Sequence, residues 1–329
     1  MAENKDEGVE LRDAFGKTLL ELGEQYPKLV FLDADLHTST KASWFKERYP
    51  NRFIQVGIAE QNLFGIAAGL ASEGFVPFPS TFAAFASRRA LDQIAISICF
   101  ANLDVKIPGS YCGIPTSRAG GSHNCIEDLA VMRALPNMRV ADPGSNADLR
   151  AIMKTAMETK GPVYFRVTRY TVPELFDLNH TFEWGKGVII KSGSDVTLFG
   201  TGIMTSFCLE AAEILTKQGI DAEVVHLASV KPIDASLIIQ SATKTGCCVT
   251  AENATIFGGL GDAVSEVLGK NYPVPVQRIG VKDQFVESGG IDELFTLHKM
   301  QPGDIVKAAL GVMKIKKNIS LNEDVNLNG

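Results

Sequence analysis

Short apolar runs alternate with longer segments of helical periodicity along most of the chain. In the first half the apolar runs are LVFLD, VPF, VKIPG, MRVAD and VYFRV, with helix-like segments such as IAEQNLFGIAAGLASEG between them. Strands that are apolar on both faces are typical of parallel sheets, whose crossover connections are usually helices. The pattern therefore predicts an α/β fold in which a parallel sheet lies between two layers of helices.

The alternation stops over residues 170–195, which are rich in turn formers, and then restarts. Predicted helices over 206–218, 234–243 and 260–269 separate the later apolar runs, and a last helix is expected from Pro302 to Val312. We therefore predict two three-layer α/β/α domains, a first over 10–185 and a smaller second over 186–315. The polar ends, 1–9 and 316–329, are expected to be flexible tails.

Charge and composition exclude several classes of partner. The 32 basic and 38 acidic residues give a net charge of −6, and no segment concentrates the basic ones, which argues against nucleic acid and anionic membranes. The longest uncharged stretches, 74–87 and 196–209, are shorter than the roughly 18 to 20 residues of a membrane-spanning helix. Because the chain starts with polar, acidic residues and not with a secretory signal, we expect a cytoplasmic protein.

Common catalytic and ligand-binding motifs are missing. The six cysteines show no CxxC or Cys/His spacing and are expected to be reduced thiols and not metal ligands. The sequence contains neither GxxxxGK[ST] nor a GxGxxG next to a strand, and it lacks the GxSxG elbow. These absences argue against P-loop, dinucleotide-binding and α/β-hydrolase sites.

A carboxylate opens one of the most apolar predicted helices. Glu60, in VGIAEQN, is followed by LFGIAAGLA. A glutamate in a first helical turn commonly interacts with the helix dipole or caps the helix. Burial at the start of such a helix would instead raise the pKa of the carboxyl group, which could then act as an acid near neutral pH.

Two further segments combine aromatic, small and polar residues. In STFAAF, Phe82 and Phe85 are either a core pair or a stacking wall for a flat ligand. The segment YCGIPTSRAGGSH, from Tyr111 to His123, is glycine-rich and polar and follows an apolar strand. Such loops lie at the carboxyl edge of a parallel sheet, where ligands bind, although a lone histidine there is more often structural.

Four separated motifs, taken in order, resemble one family. GIAEQN, STFAAF, GGSHNCIEDLAVMRALPN and YFRVTR look like the pyrimidine-binding domain of transketolase, and residues 190–315 look like its C-terminal domain. The resemblance covers nearly the whole chain. It implies a thiamine-diphosphate-dependent transferase that moves a two-carbon ketol unit from a ketose to an aldose.

A motif that the family requires is absent. Transketolases hold the diphosphate and a metal ion through a GDG motif in an N-terminal domain, and this sequence contains no GDG. The resemblance therefore implies the smaller subunit of a split transketolase, active only with a diphosphate-binding partner subunit that carries Mg²⁺ or Ca²⁺. By family analogy two such pairs would form a heterotetramer with its active sites at the subunit interfaces. No metal ligand is expected in this chain.

The resemblance also implies roles for individual residues near the cofactor. Glu60 would hydrogen-bond the N1′ atom of the cofactor's aminopyrimidine ring. Phe85 matches the residue that stacks on this ring, and Phe82 would line the same pocket. His123 matches a histidine near the reacting hydroxyl groups of the sugar. Glu60 and His123 are thus the candidate catalytic residues.

The sugar-binding positions depart from the family pattern. Arg12, Ser39 and Arg169 match three positions that clamp a terminal phosphate, whereas Tyr111 stands where the family has histidine. The loop sequence SRAG replaces the usual GEDG, with Arg118 and Ala119 in place of two acidic residues. A planar guanidinium suits an anionic group. These differences favour an altered specificity, for a sulfonated or branched sugar or for the ordinary substrates bound with altered stereochemical control. The alternative is that a split family simply tolerates a different loop.

The second predicted domain shows no comparable chemistry. His226, Lys231 and Glu252 lie near predicted strand ends, and we expect structural or interface roles for them. The alternatives to a transketolase are a subunit of a deoxyxylulose-phosphate-synthase-like or α-ketoacid-processing enzyme, and a non-catalytic regulatory partner.

Overall fold

The computed structural model describes residues 10–327, with side chains up to residue 318. Two sheets flanked by helices form two α/β domains, so the predicted fold class is confirmed. The first half contributes the helices α1 Leu11–Gln25, α2 Ser43–Arg48, α3 Glu60–Ser72, α4 Asp128–Ala134 and α5 Asn146–Glu158. Its strands are β1 Leu29–Asp33, β2 Phe53–Gln55, β3 Val76–Phe82, β4 Lys106–Ser110, β5 Arg139–Ala141 and β6 Val163–Val167.

The second half repeats the alternation over a shorter length. Its strands are β7 Val188–Lys191, β8 Val196–Gly200, β9 Ala222–His226, β10 Ser229–Lys231, β11 Cys248–Thr255 and β12 Val276–Val281. Its helices are α6 Met204–Thr216, α7 Ala235–Thr245, α8 Leu260–Asn271, α9 Ile291–Leu297 and α10 Pro302–Leu327. The segment predicted to be an irregular linker therefore includes one strand, β7.

The strand order within each sheet is that of an open α/β fold. The first sheet runs β10-β5-β6-β4-β3-β1-β2 and the second β12-β11-β8-β9-β7. Most neighbouring pairs are parallel, and the exceptions are the edge strands β10 and β7, which pair antiparallel with β5 and β9. Since β1, β3, β4 and β6 run in one direction, their carboxyl ends share one edge of the sheet.

Helices cover both faces of the first sheet. Side chains alternate along a strand, and in β1 Phe31 packs near Phe15 of α1 with 6.5 Å between ring centroids. Leu32 points to the opposite face and belongs to the same apolar cluster as Phe64 of α3. Because both faces are covered, this strand is apolar up to Asp33 at its end.

The two halves of the chain share a sheet and a buried charge network. Strand β10 belongs to the second half but pairs with β5 of the first. Arg166 is fully buried and donates hydrogen bonds to Asp128 (2.8 Å) and to the backbone carbonyl of Asn253 in β11 (3.0 Å). Burial opposes the charge, but Asp128 and Asp142 raise the pKa of Arg166 well above its usual value. A buried guanidinium thus joins the halves.

The prediction of one helix over 83–98 is wrong. The structure has two π-helical segments there, Phe85–Arg89 and Gln93–Phe100. The backbone N–H of Ala90 donates to the carbonyl of Phe85, five residues earlier, at 3.1 Å, which widens the turn. In a π-helix each backbone hydrogen bond spans one residue more than in an α-helix. The apolar spacing of the sequence does not reveal this difference, because both helix types keep one apolar face.

The last helix is longer than predicted. It continues past Val312 to Leu327, so residues 316–327 are helical where a flexible tail was expected. Lys316 donates a hydrogen bond from Nζ to the carbonyl of Thr245 at the end of α7 (2.7 Å), which anchors this extension. Residues 1–9, 328 and 329, the remainder of the expected tails, lie outside the described residues. None of the helices within 10–327 combines the length and the apolar character needed to cross a bilayer.

Candidate active site

Glu60 is the first residue of α3 and follows a turn in which Gly57 has a φ of +76°. Its side chain is only 2% exposed, and its Oε2 accepts a hydrogen bond from Nη1 of Arg89 at 2.8 Å. The guanidinium of Arg89 is half-exposed. The ion pair therefore connects a buried acid to the surface of the protein.

Aromatic rings form a wall beside this acid. Phe82 ends β3 and stacks near Phe85 with 6.0 Å between ring centroids and 27° between planes. His123 meets Phe85 edge-on at 5.2 Å. The guanidinium of Arg89 lies 4.6 Å above the Phe85 ring, which connects the wall to Glu60. All three ring-bearing residues are partly exposed, which favours a stacking surface over a core pair.

Tyr111 extends the wall away from Glu60. It follows β4 with a φ of +56°, a backbone conformation that costs of the order of 1–3 kcal/mol in a non-glycine residue and is often found at functional sites. The hydroxyl of Thr116 donates to the carbonyl of Tyr111 at 2.6 Å and helps to hold this conformation. The Tyr111 ring packs on Phe82 at 4.4 Å between centroids.

Two arginines converge on the phenol of Tyr111. Arg12 donates from Nη1 to the Tyr111 hydroxyl at 3.0 Å and to the backbone carbonyl of Ser39 at 3.3 Å. Arg169 lies 5.5 Å above the Tyr111 ring. Desolvation opposes the charge of Arg12, but its ion pair with Glu10 and its contact with Tyr111 raise the pKa of the guanidinium. The result is a cationic cluster of Arg12 and Arg169 around Tyr111 at the far end of the aromatic wall.

The structure brings eight of the nine candidate site residues into one chain of contacts and leaves Arg118 outside it. From the acid to the cationic end, the eight are Glu60, Phe85, Phe82, His123, Tyr111, Arg12, Ser39 and Arg169. Arg118 is exposed, and its side chain forms no hydrogen bond or ion pair within residues 10–327.

Sequence reasoning missed two arginines that organise the site. Arg89 pairs with Glu60, and the neighbouring Arg88 donates to the backbone carbonyls of Gly121 and Ser122, beside His123, at 3.1 and 3.2 Å. The signal was the pair of basic residues that ends the apolar run STFAAFA. Since Arg89 and Glu60 are distant along the chain, spacing alone could not pair them.

One cluster offers the atoms for a metal ion but does not need one. Within residues 10–327, Asp33, Asp35 and His37 can bring three ligand atoms together. However, the Asp33 carboxylate already accepts hydrogen bonds from Gln55 (2.7 Å), His37 (3.0 Å) and the backbone N–H of Leu36 (3.1 Å). Its charge is thus satisfied internally, and we assign no metal to it.

The polar residues singled out in the second half are held in structural contacts. His226 bridges Thr205 (2.7 Å) and Asp148 of α5 (2.9 Å). Lys231 donates to a backbone carbonyl at the end of α4. Glu252 accepts two backbone N–H groups at the start of α8, and burial raises the pKa of this carboxyl to about 7. None of the three contacts the candidate site residues through these bonds.

Two family models match the chain. The model described as "Transketolase, pyrimidine binding domain" matches residues 7–174, and "Transketolase, C-terminal domain" matches residues 185–305. The first match contains every candidate site residue described above, and the second contains β7 to β12. The candidate site therefore lies within the first match.

Among known proteins, the chain is 44% identical to the 6-deoxy-6-sulfo-D-fructose transketolase subunit SqwH of Clostridium sp. (strain MSTE9), over 93% of this chain and 95% of that one. It is 38% identical to the 1-deoxy-D-xylulose-5-phosphate synthase of Trichormus variabilis (strain ATCC 29413 / PCC 7937), over 88% of this chain but only 46% of that enzyme. A solved structure described as a split gene transketolase, an inactive beta4 tetramer, superposes with a TM-score of 0.89 at 48% identity and covers 94% of this chain and all of that one.

Proposed function

The chain belongs to the transketolase family, and on that premise we propose that it is the smaller subunit of a two-subunit, thiamine-diphosphate-dependent transketolase. The enzyme would transfer a two-carbon ketol unit from an anionic ketose to an aldose. The observation that carries the proposal is the buried carboxylate of Glu60 beside the exposed aromatic wall. A family member with the acid and the wall but no GDG motif supplies one half of a cofactor site.

The described residues fit the pyrimidine end of the cofactor. Phe85 and Phe82 offer ring faces for stacking, and Glu60 offers a carboxylate oxygen at the edge of the same pocket. When bound, thiamine diphosphate supplies the electron sink for breaking the carbon–carbon bond next to a ketose carbonyl. The role of this chain is to fix the orientation of the ring and to hold a proton at Glu60.

Arg89 occupies one carboxyl oxygen of Glu60, since its Nη1 donates to Oε2 at 2.8 Å. A ring nitrogen bound at the carboxyl group would compete with Arg89 for this oxygen. Because Arg89 is half-exposed, it can move towards solvent when the ring binds. A carboxyl group that shares a proton with a ring nitrogen in a site closed to water is the arrangement that favours proton transfer.

His123 is proposed to contact the substrate. Its ring lies between Phe85 and Phe82, at 5.2 and 6.0 Å between centroids. The hydroxyl of Ser122 and Nδ1 of His123 are 2.9 Å apart, and Nε2 has no hydrogen-bond partner among residues 10–327. A histidine in this position can exchange a proton with a sugar hydroxyl.

A partner subunit is proposed to supply the diphosphate and metal site, with Mg²⁺ or Ca²⁺ bound there, and two pairs are proposed to form a heterotetramer. An apolar surface next to Glu60 supports this. Ile58, Ile96 and Phe100 are 74%, 61% and 83% exposed. Gly65 and Gly69 on the exposed side of α3 have open space where a Cβ would lie. Exposed apolar side chains beside glycines that allow close approach, next to an incomplete site, are suited to a permanent subunit contact.

The six cysteines support a reducing, cytoplasmic location. All of them are buried free thiols, and burial raises the pKa of Cys112 and Cys208 to about 12. Buried thiols of this kind are unreactive and are typical of intracellular proteins.

The cationic cluster is proposed to bind the charged end of the ketose, through Arg12, Arg169, Ser39 and Tyr111. Counting Arg12 and Arg169 against Glu10 leaves a single net positive charge. This charge suits a monoanion such as a sulfonate, because the neutral phenol of Tyr111 adds a donor without a second charge. The sulfosugar named for the Clostridium relative carries such a group. Arg118, on the exposed loop, is proposed to contact the substrate only after assembly.

Replacing Arg169 by Ala is expected to raise KM for an anionic ketose about 10- to 100-fold, because a hydrogen bond to a charged group contributes roughly 1.5–3 kcal/mol. Turnover of an uncharged ketose of the same length should change little. A matched control is Arg48→Ala, which removes an exposed arginine that also lies over a tyrosine ring, at 5.8 Å from Tyr49. Equal losses for charged and uncharged ketoses would show that Arg169 does not bind the terminal anion.

A second function is favoured by one observation, the 38% identity to a deoxyxylulose-phosphate synthase across half of that enzyme. The third possibility, a non-catalytic regulatory partner, does not explain why Glu60 is buried against a cationic partner at the wall. Donor turnover distinguishes the three.

The complex of this chain with its diphosphate-binding partner should convert an anionic ketose and an aldose acceptor, and should release no carbon dioxide from pyruvate. The assay measures both reactions in the same preparation. Carbon dioxide release from pyruvate without ketose turnover would support the synthase-like alternative. Full ketose turnover by the partner subunit alone would support a regulatory role for this chain.

A further inference from the structure

We propose that the second half of the chain has a defined task in the active site: it clamps the His123 loop, residues 113–126, and Asn253 is the positioning residue at the base of this clamp. The clamp consists of contacts within this chain, whereas its effect on ketose turnover rests on the proposed function. Sequence reasoning expected only structural or interface roles for the second half.

Strand β11 holds both ends of the His123 loop. The loop closes on itself at its base, where the N–H of Gly113 donates to the carbonyl of Cys125 at 2.6 Å. Asn253 Oδ1 accepts the backbone N–H of Ile114 at 2.9 Å, and the N–H of Thr255 donates to the carbonyl of Ile126 at 2.8 Å. Asn253 uses its side chain and Thr255 its main chain, so both contacts come from the last three residues of β11.

The fit at Asn253 is close and specific. Asn253 is 1% exposed, and a Cβ added to Gly113 would come within 2.2 Å of its Nδ2 atom. Gly113 also has a φ of +67°, which favours glycine. The carbonyl of Asn253 accepts a hydrogen bond from the buried Arg166, so the main chain that presents the Asn253 side chain is itself fixed.

The tip of the loop is held from the same half. The hydroxyl of Ser288 donates to the carbonyl of Arg118 at 2.5 Å, and Nδ2 of Asn124 donates to the carbonyl of Glu287 at 3.2 Å. From the first half, Arg88 donates to two carbonyls of the loop. The loop forms a short 3-10 turn over Ile114–Ala119, so its conformation depends on these side-chain contacts more than on a ladder of backbone bonds.

The clamp determines where His123 lies. Tyr111 lies two residues before the loop and His123 lies within it, and both rings lie beside Phe82, at 4.4 and 6.0 Å between centroids. A displacement of about 1 Å in a positioning element can lower turnover by about 100-fold without removing any reacting group. The second half thus positions the sugar-facing wall while the first half supplies its side chains.

Limited proteolysis of the chain alone tests the clamp. Asn253→Leu keeps the approximate side-chain volume but removes the acceptor for the N–H of Ile114. Because the loop is then held less firmly, trypsin cleavage after Arg118 is expected to accelerate at least about 10-fold, measured at a constant ratio of protease to protein. The matched control is Thr250→Val on the same strand, which removes a buried hydroxyl that has no hydrogen-bond partner among residues 10–327. Ser288→Ala, at an exposed position, should give a smaller acceleration and covers the case in which Asn253→Leu does not fold.

Cleavage after Arg118 at the same rate in folded Asn253→Leu as in the wild type would overturn the clamp. If Asn253→Leu does not fold, the same result in Ser288→Ala would overturn it. In the assembled enzyme, Asn253→Leu should lower ketose turnover at least about 10-fold, with cofactor affinity and melting temperature near those of Thr250→Val. Faster cleavage with unchanged turnover would overturn the catalytic consequence but keep the clamp. Absence of ketose turnover by the wild-type complex would contradict the proposed function, and proteolysis would still decide the clamp.

Discussion

Replacing Glu60 by Gln is expected to lower ketose turnover by the assembled enzyme at least about 100-fold, within the 10²–10⁴-fold range of general acid–base catalysis. The two side chains have nearly the same shape, so the amide can still occupy the start of α3. It cannot give or take the proton that the carboxyl group holds. Cofactor affinity should fall less than turnover, because the stacking faces of Phe85 and Phe82 remain.

Controls separate the loss of the proton from a loss of structure. Glu73→Gln changes an exposed carboxylate at the other end of the same helix, and it should leave turnover unchanged. The melting temperature of Glu60→Gln also has to be compared with that of the wild type, since the variant removes the ionic partner of Arg89. Turnover by Glu60→Gln within a factor of two of the wild type would mean that the catalytic acid lies elsewhere.

Cofactor binding and turnover are both expected to depend on a partner subunit. The described residues offer a site for the pyrimidine ring, but the GDG motif is absent from the sequence, and the candidate metal cluster is satisfied internally. Loss of the diphosphate and metal contacts is expected to weaken cofactor binding at least about 1,000-fold, which corresponds to ~4 kcal/mol. The isolated chain should therefore neither bind thiamine diphosphate tightly nor turn over a ketose.

The exposed surface agrees with this dependence. Ile58 lies two residues before Glu60, and Phe100 ends the second π-helical segment, which packs beside α3. Covering these side chains with a partner would also cover the entrance next to Glu60. Assembly and closure of the cofactor site to water are therefore expected to be one event.

The α/β fold could be predicted because burial on both sheet faces leaves a direct mark on the sequence. LVFLD and VYFRV are almost wholly apolar since helices cover both faces. The small elements α2, β2 and β10 left no such mark. They are short, and β10 is fixed by pairing with a distant strand and not by its own pattern.

The candidate site could be predicted only in part. Glu60 stood out as a carboxylate at the start of an apolar helix, but capping explained it equally well, and only the family resemblance implied a role at the cofactor. Arg89 and Asn253 act through partners that are distant in sequence, so their roles became visible only when the fold brought them together. The π-helical turn that carries Phe85 and Arg89 was also hidden, because it conserves the apolar face.

Titration calorimetry of thiamine diphosphate in the presence of MgCl₂ tests the central claim most directly. The cofactor is titrated into the isolated chain and into an equimolar mixture with a diphosphate-binding subunit that carries GDG. We predict no saturable binding to the isolated chain and one tight site for each pair of subunits in the mixture. Tight, magnesium-dependent binding by the isolated chain would contradict the account, since this chain would then hold a complete cofactor site.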